Sequence, residues 1–333
     1  MNLQTRSTSW LMALWLCAAA GGPAAAADGP PYTRTRDVVY GRKAGLALTM
    51  DVFRPKGKAN GAAVLWLNSG DWMSDMGQFA DPRPLSADYL GRGYTVIVVG
   101  HSSFPAFSPD EIVPDIHRAV RYVRHHAREL GVDADRLAII GTSSGGHLAA
   151  HVGVSGGQGP PFPAPDLTGL GRYDPVEQEP SQVAAFVSFC GPTDLLNYEA
   201  EGKSFLDFRL PEEVRKKAKL EHFPLVFREF HRKSLSYSAV TDKEQIRRKL
   251  KALSPASLVS AESAPGLLIY GEKDANVPVR QAEILAGRMK AAGVPVELIV
   301  RKGVGHDVAQ AGDGKLVADW LDKRLGRPKA GAK

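Results

Sequence analysis

Short apolar runs alternate with amphipathic stretches from about residue 36 onward. A strand that is covered on both faces of a sheet is apolar along its whole length, because neither face meets water. Runs of this kind predict strands at 38–40, 46–53, 62–68, 94–100, 136–141, 183–190, 266–271 and 296–300. The first two flank a segment bounded by glycines at 41–45 and are expected to form a hairpin.

Segments in which apolar residues recur at helical spacing lie between the later strands. Ser108, Pro109 and Glu111 match a helix start, with a capping hydroxyl, a proline in the first turn and a glutamate three positions after the serine. We expect Pro114 to begin the regular part of this helix or to kink it. Further helices are predicted at 279–292 and 308–325. Strands that alternate with helices predict an α/β fold with a mainly parallel, right-handed wound sheet of about eight strands and helices on both faces.

Two long segments interrupt this alternation. Residues 157–182 contain six prolines and no periodicity, which predicts a long loop. Residues 195–253, here called the cap insertion, have a helical pattern but few apolar residues. Because both of its ends return to the predicted sheet, we expect a helical insertion into a single domain spanning 28–333 and not a separate domain.

The first 27 residues have the pattern of a secretory signal peptide. Arg6 precedes an apolar run at 10–20, and three alanines at 25–27 precede Asp28. The run has 11 residues, about half of the roughly 20 that a membrane helix needs. An uncleaved anchor is the alternative, but the pattern favours cleavage and a periplasmic or secreted protein without stable membrane insertion.

Composition and cysteine use are those of a globular protein without disulfides. The chain is 44% hydrophobic and 23% charged, which excludes collagen-like and wholly disordered proteins. Of its two cysteines, Cys17 lies in the predicted signal peptide, so Cys190 alone would remain and no internal disulfide could form. Cys190 ends an apolar run, which favours a buried structural thiol over a reactive one.

The net charge of +6 is concentrated in one segment. Residues 201–251 hold 14 Lys or Arg against 8 Asp or Glu, an excess equal to that of the whole chain. Two interpretations stay open. The segment is either a solvated helical face or a surface on which Lys216, Lys217 and Arg248 attract an acidic glycan.

The strongest chemical signal lies at residues 141–146. Gly141, Ser143 and Gly145 match G-x-S-x-G between a predicted strand and a helical run. In that setting the serine sits on a tight turn, and larger side chains at the two glycines would clash with the adjoining strand and helix. The pattern predicts Ser143 as a catalytic nucleophile.

A serine nucleophile needs a general base and a group that orients the base. In a sheet of this kind an acid and then a histidine are expected after later strands. Asp274 follows the strand at 266–271, and His306 follows the strand at 296–300. Glu272 lies too close to its strand and Asp307 adjoins the histidine, so the sequence favours Asp274 as the acid and His306 as the base.

The remaining histidines are expected to be structural or solvated. His147 lies one helical turn after the nucleophile, so its ring is expected to pack or to cap locally. His101 is the strongest competitor, because it ends a strand at the predicted catalytic edge of the sheet.

Acyl transfer also needs an oxyanion hole, a set of N–H groups directed at the developing negative charge. Ser144 directly follows the nucleophile, and the loop at 68–72 follows an earlier strand. We therefore predict the N–H groups of Gly70, Asp71 and Ser144 as donors. A plain turn is the alternative for the loop.

Taken together, these motifs resemble the α/β-hydrolase superfamily, and within it the bacterial feruloyl and acetyl-xylan esterase-like group near the hormone-sensitive-lipase-like esterases. The resemblance covers nearly all of 36–325 and rests on the segments 68–72, 115–124, 141–149, 191–198, 271–278 and 303–307. The chain departs from the group at one motif, with Asn68-Ser69-Gly70-Asp71-Trp72 where such families usually have H-G-G-G-W. Backbone donors survive this change, but a carboxylate at Asp71 is unfavourable near an oxyanion unless it points away.

The resemblance implies an exported serine ester hydrolase that forms an acyl-enzyme on Ser143. Its expected partner is a small-molecule or oligosaccharide ester, such as a short acyl, acetyl or feruloyl ester of a carbohydrate, and no nucleic acid. One alternative is a serine peptidase of the prolyl-peptidase-like type, for whose usual propeller domain the chain has no room. Another is a non-catalytic carbohydrate-binding homologue, which would be expected to lack a triad member. The chain has no H-E-x-x-H, paired C-x-x-C, Walker or G-x-G-x-x-G motif, so no metal or other cofactor is predicted.

Overall fold

The computed structural model describes residues 31–76, 88–158, 174–231 and 233–326. Ten strands form in this part of the chain. They are β1 (Tyr32–Lys43), β2 (Leu46–Pro55), β3 (Ala63–Leu67), β4 (Thr95–Val99), β5 (Leu137–Thr142), β6 (Ala185–Phe189), β7 (Arg228–His231), β8 (Ser236–Ala239), β9 (Gly266–Gly271) and β10 (Val296–Arg301). Strands β7 and β8 form a separate antiparallel hairpin.

The other eight strands form one sheet in the order β1-β2-β4-β3-β5-β6-β9-β10. Strands β1 and β2 pair antiparallel, as do β2 and β4. From β4 to β10 every neighbouring pair is parallel. The α/β fold with a mainly parallel sheet, predicted from the strand–helix alternation, is confirmed, and so is the opening hairpin.

Eight α-helices and three 3₁₀ turns connect the strands within the described ranges. The helices are α1 (Pro109–His125), α2 (Ala127–Leu130), α3 (Ser144–Ser155), α4 (Glu212–Ala218), α5 (Lys243–Ala252), α6 (Pro255–Leu258), α7 (Arg280–Ala291) and α8 (Asp313–Leu325). The 3₁₀ turns are Leu90–Arg92, Pro175–Gln178 and Phe205–Asp207. Helix α1 begins with the predicted capping box of Ser108 and Glu111, and Pro114 lies inside it and not at its start. Helix α8 begins later than predicted, after Gly312 at a φ of 94°.

Helices cover both faces of the sheet. Both α3 and α8 pack against β5 and β6, and almost every residue of these two strands is buried. Strands that are buried along their whole length are covered on both faces, so helices lie on both sides of this part of the sheet. Helix α7 packs against β9 and β10. Strands β5, β6 and β9 are therefore enclosed, while β10 is a partly exposed strand at the edge of the sheet.

The cap insertion lies between β6 and β9 and is not wholly helical. Besides α4 and α5 it contains the β7–β8 hairpin, so the expectation of a helical insertion is wrong for 228–239. Each strand has only four residues, too few for alternation to show clearly in sequence. Phe230 and Tyr237 face each other across the hairpin with ring centroids 5.1 Å apart, and such cross-strand aromatic pairs stabilise antiparallel strands.

Two of the basic residues proposed to attract an acidic glycan, Lys216 and Arg248, pair with acidic residues of the cap insertion itself. Lys216 forms an ion pair with Glu212 at 2.6 Å, and Arg248 lies 3.9 Å from Glu244, both one helical turn apart. These pairs favour a solvated helical face over an acidic-glycan site at Lys216 and Arg248.

Two sequence predictions fall on residues outside the described ranges. They are the signal peptide at 1–27 and most of the loop at 157–182. Among the helices of the described residues, none combines the length and the apolar character that a membrane crossing requires.

Candidate active site

Ser143 lies on the turn between β5 and α3, as the motif predicts. Its backbone has a φ of 55° and a ψ of −122°, a conformation that an L-residue holds only under strong constraint. Its N–H donates to the carbonyl of Phe189 at the end of β6, at 2.8 Å. The turn is thereby tied to the neighbouring strand, and the serine side chain projects from the carboxyl edge of the sheet.

Gly141 of the motif and Gly146, which directly follows the motif, are required by close backbone contacts. A Cβ atom at Gly141 would lie 2.2 Å from the carbonyl oxygen of Gly145, and one at Gly146 would lie 2.7 Å from that of Phe189. Real Cβ atoms do not approach backbone so closely. The strand, the turn and the helix therefore fit together only with hydrogen at these positions.

The structure brings the three predicted triad residues together. The Nε2 atom of His306 lies 3.0 Å from the Oγ atom of Ser143, and its Nδ1 atom lies 2.8 Å from Oδ2 of Asp274. The second oxygen of Asp274 accepts hydrogen bonds from the N–H groups of Asn276 and Val277, at 2.8 and 2.9 Å. The carboxylate is fully shielded from solvent. Because β5, β9 and β10 are parallel, the segments after them meet at one edge of the sheet.

His306 has an imidazole whose protonated form is stabilised. Burial acts to lower its pKa, but the hydrogen bond to Asp274 and contact with the thiol of Cys190 raise the pKa above its usual range. A base in this setting stabilises the imidazolium that forms when it takes a proton from a serine.

Glu272 and His101, the alternatives for the acid and the base, form hydrogen bonds with residues outside the triad. Glu272 accepts a hydrogen bond from the N–H of Gly303 at 2.9 Å. His101 is buried with Nδ1 2.6 Å from the carbonyl of Ser102, and burial lowers the pKa of its ring. Both carry hydrogen bonds that hold loops at this edge of the sheet.

The loop after β3 forms a tight turn. The N–H groups of Gly70 and Met73 each donate to the other's carbonyl, at 3.0 and 2.8 Å, and the two residues between them have positive φ values of 51° (Asp71) and 57° (Trp72). This is a two-residue hairpin turn of the I′ type. The N–H of Gly70 is used inside the turn, so this conformation does not offer it as an oxyanion donor. The prediction of Gly70 as a donor did not allow for this reciprocal pairing.

The two other predicted donors are Asp71 and Ser144, the residue directly after the nucleophile. Within the described ranges, no backbone carbonyl accepts a hydrogen bond from the N–H of Asp71 or of Ser144. The hydroxyl of Ser144 lies 2.9 Å from that of Ser69, and a Cβ atom at Gly145 would lie 3.2 Å from the carbonyl of Leu67. The loop after β3 is therefore packed against the first turn of α3.

The Asp71 carboxylate lies near enough to His306 for the two groups to interact electrostatically. Asp71 is open to solvent, yet the surrounding protein raises its pKa, and the nearby imidazole of His306 acts to lower it. The carboxylate is close enough to influence charge at the reacting centre.

Cys190 is a neighbour that sequence reasoning did not place in the site. It is buried at a φ of 42°, directly after β6, and its thiol lies 3.5 Å from the carbonyl of His306. Cys190 follows β6 and Asp274 follows β9, and the pairing of these two strands brings the residues together. The sequence alone does not show which strands pair. Cys190, Asp274 and His306 offer donor atoms within 4.8 Å of one another, a set that suits a soft divalent ion. In this arrangement Asp274 already engages the Nδ1 atom of His306, so the set serves hydrogen bonding.

A family model described as BD-FAE matches residues 50–289, which include the turn after β3, the nucleophile motif and Asp274. The chain belongs to the BD-FAE family. This confirms the resemblance to feruloyl and acetyl-xylan esterase-like proteins. The match ends before His306, whose place in the site follows from its distances to Ser143 and Asp274.

Several relatives and solved structures are similar to this member of the BD-FAE family. Esterase LipQ of Mycobacterium tuberculosis is 25% identical over 304 residues, which cover 88% of this chain and 62% of LipQ. A truncated carbohydrate esterase from gut microbiota has a TM-score of 0.67 at 23% identity and covers 90% of this chain and 99% of its own. Esterase 2 of Thermogutta terrifontis, phosphorylated by paraoxon, has a TM-score of 0.61 at 22% identity, covering 90% and 97%. The fold is that of the α/β-hydrolases, and the chain spans less than two thirds of LipQ.

Proposed function

We propose that this protein is a serine carboxylic-ester hydrolase that acts through an acyl-enzyme. The observation that carries the proposal is the placement of His306 between Asp274 and Ser143, at 2.8 and 3.0 Å. Names of relatives support it, since LipQ is called an esterase. The phosphorylation of the Thermogutta terrifontis esterase by paraoxon also supports it.

The mechanism follows from the hydrogen bonds of the site. Asp274 accepts the Nδ1 proton of His306, which leaves Nε2 free to take the proton of Ser143. The serine oxygen then attacks the ester carbonyl, and the imidazolium gives its proton to the leaving alcohol. Water activated by the same imidazole hydrolyses the acyl-enzyme and releases the acid.

The developing oxyanion would be held by backbone donors. The N–H groups of Ser144 and Asp71 are the candidates, because in the described residues neither donates to a backbone carbonyl. Loss of a single oxyanion donor costs about 3–4 kcal/mol of barrier in enzymes of this chemistry. The carboxylate of Asp71 opposes this stabilisation in part, because its negative charge lies near His306 at the reacting centre.

We further propose acetyl or feruloyl esters of carbohydrates as the substrate class and export as the destination. Family membership and the carbohydrate-esterase neighbour support the substrate class, and the pattern of residues 1–27 supports export. The purified protein is compared on acetylated xylan, a feruloylated oligosaccharide and 4-nitrophenyl acetate. We expect acid release from at least one carbohydrate ester with a higher kcat/KM than from the simple ester. Turnover of the simple ester alone would contradict the substrate class and leave the reaction type standing.

Export is tested separately. Residues 1–27 are fused to a reporter that is active only outside the cytoplasm, and the mature protein is sequenced from its amino terminus. We expect reporter activity and a mature chain that begins at Asp28. An inactive fusion would contradict export.

A further inference from the structure

Trp72 has a strained backbone conformation that surrounding contacts must stabilise. It follows Asp71 in the turn after β3, and both residues have positive φ values, 57° and 51°. Such values are uncommon for residues other than Gly, Asn and Asp, and a bulky side chain there is an outlier. A conformation of this kind persists only where surrounding contacts determine it. The Trp72 side chain is 3% exposed, so its contacts can supply that constraint.

The indole N–H of Trp72 is held by His147. It donates to the Nδ1 atom of His147 at 3.1 Å, and the two rings meet edge to face with centroids 5.5 Å apart. Since Nδ1 accepts, the ring proton is on Nε2, which donates to the carbonyl of Leu253 at 2.8 Å. Burial lowers the pKa of His147 to about 4. The ring therefore stays neutral near pH 7 and keeps one donor and one acceptor in fixed directions.

His147 connects three parts of the site. It lies on α3 one helical turn after Ser143, and its Nδ1 atom holds the turn that carries the N–H of Asp71. Its Nε2 atom is fixed to Leu253, which directly follows α5 at the end of the cap insertion. One buried side chain thus links the helix of the nucleophile to the turn that carries an oxyanion donor.

We propose that His147 is a positioning residue for the oxyanion hole, holding Trp72 and through it the N–H of Asp71 in place relative to the N–H of Ser144. This inference rests on the proposed function, because an oxyanion forms only if Ser143 attacks an ester. His147 itself transfers no proton to substrate, since both of its nitrogens are engaged by Trp72 and Leu253.

A neighbouring histidine provides a matched control. His151 lies one turn further along α3 and is also fully buried. Its Nε2 atom lies 3.0 Å from the carbonyl of Ala252, at the end of α5. It shares with His147 the helix, the burial and the kind of acceptor, but its hydrogen-bond partners do not include Trp72. Its ring lies beside that of His147, with centroids 6.2 Å apart, so replacing it by the similarly sized Phe tests the cost of losing a buried histidine next to His147 while both hydrogen bonds of His147 are kept.

Three variants remove different parts of the contact. His147→Phe removes both hydrogen bonds, His147→Asn can keep an acceptor near the position of Nδ1, and Trp72→Phe removes the N–H donor while keeping an aromatic ring. We expect kcat for 4-nitrophenyl acetate to fall between about 10- and 100-fold in His147→Phe and Trp72→Phe, with KM changed little. His147→Asn should recover part of the loss. His151→Phe should stay within about twofold of wild type even if its Tm falls as far as that of His147→Phe.

The decisive readout is the ratio of kcat/KM for an oxygen ester to that for the matching thionoester. Sulfur accepts hydrogen bonds poorly, so a working oxyanion hole favours the oxygen ester, and a displaced donor lowers the ratio. The ratio should fall in His147→Phe and Trp72→Phe and stay unchanged in His151→Phe.

Equal activity losses in the two histidine variants, or an unchanged ratio in both His147→Phe and Trp72→Phe, would overturn the proposal. If His147→Phe does not fold, Trp72→Phe decides alone. Ser143→Ala is measured in parallel, because turnover by that variant would refute the proposed function itself and not merely the role of His147.

Discussion

The Oδ2 atom of Asp274 lies 2.8 Å from the Nδ1 atom of His306, at the end of a carboxylate that has no contact with solvent. This pairing fixes the ring orientation and places the proton on Nδ1, so that Nε2 faces Ser143 as an acceptor. It also raises the pKa of His306 against the effect of burial.

Replacing Asp274 by Asn should lower kcat by a factor on the order of 10⁴, because the imidazole loses both its tautomer and the stabilisation of its charged form. The surviving activity should have its acid limb at lower pH than wild type, since the pKa of His306 falls when the carboxylate is removed. A pH profile of kcat/KM measures both effects. Glu272→Gln is the matched control, because Glu272 contacts Gly303, and a comparable loss in that variant would contradict the assignment of Asp274.

The wild-type protein should gain activity as pH rises through the pKa of His306. Below that pKa the imidazole is protonated and cannot accept the proton of Ser143, and because Asp274 and Cys190 raise the pKa, the midpoint should lie above the usual value near 6.5. Cys190→Ala should shift the midpoint to lower pH, since it removes the second contact that raises the pKa. A midpoint at or below the usual value near 6.5 would show that these contacts do not raise the pKa of His306.

Replacing Asp71 by Asn should increase kcat for a neutral ester, because a negative charge near His306 opposes the developing oxyanion. Asn tolerates positive φ and keeps the backbone N–H, so the turn is preserved. The expected gain is a few-fold, because two unit charges about 4 Å apart in water interact with an energy of roughly 1 kcal/mol. The gain should be larger for an anionic succinyl ester than for an acetyl ester, and equal gains on the two would show that the carboxylate does not act through its charge.

Two glycines should respond to alanine in opposite directions. Gly141→Ala places a Cβ atom 2.2 Å from the carbonyl of Gly145, so it should lower the free energy of unfolding by about 1–3 kcal/mol or more and remove activity. Gly287 lies inside α7 with nothing within 4 Å of an added Cβ, so Gly287→Ala should raise the free energy of unfolding by about 0.5–1 kcal/mol. Urea unfolding measures both. A stabilised Gly141→Ala would contradict the packing described for the nucleophile turn.

The sheet and the members of the triad could be predicted from the sequence, because both follow from strong local signals. Uniformly apolar strands and a parallel order place the residues after β5, β9 and β10 at one edge. Ser143, Asp274 and His306 each follow directly from that placement. The order of these residues along the chain was then enough to assign Asp274 and Ser143 as the partners of His306.

The turn after β3 and the interior contacts of the site could not be predicted in the same way. The hydrogen bond that occupies the N–H of Gly70 depends on positive φ values at Asp71 and at Trp72, and a bulky residue such as Trp rarely adopts one. His147 was expected to pack or cap locally, and its actual partners, Trp72 and Leu253, are 75 and 106 positions away. Contacts set by tertiary packing leave no periodic pattern in a single sequence.

Mass spectrometry of the intact protein shows whether Ser143 is the nucleophile that becomes acylated. After incubation with a fluorophosphonate, we expect one adduct per chain, located at Ser143 by peptide analysis, together with complete loss of 4-nitrophenyl acetate hydrolysis. Ser143→Ala should be folded, unlabelled and inactive. An adduct at another residue, or full hydrolysis by Ser143→Ala, would contradict the account.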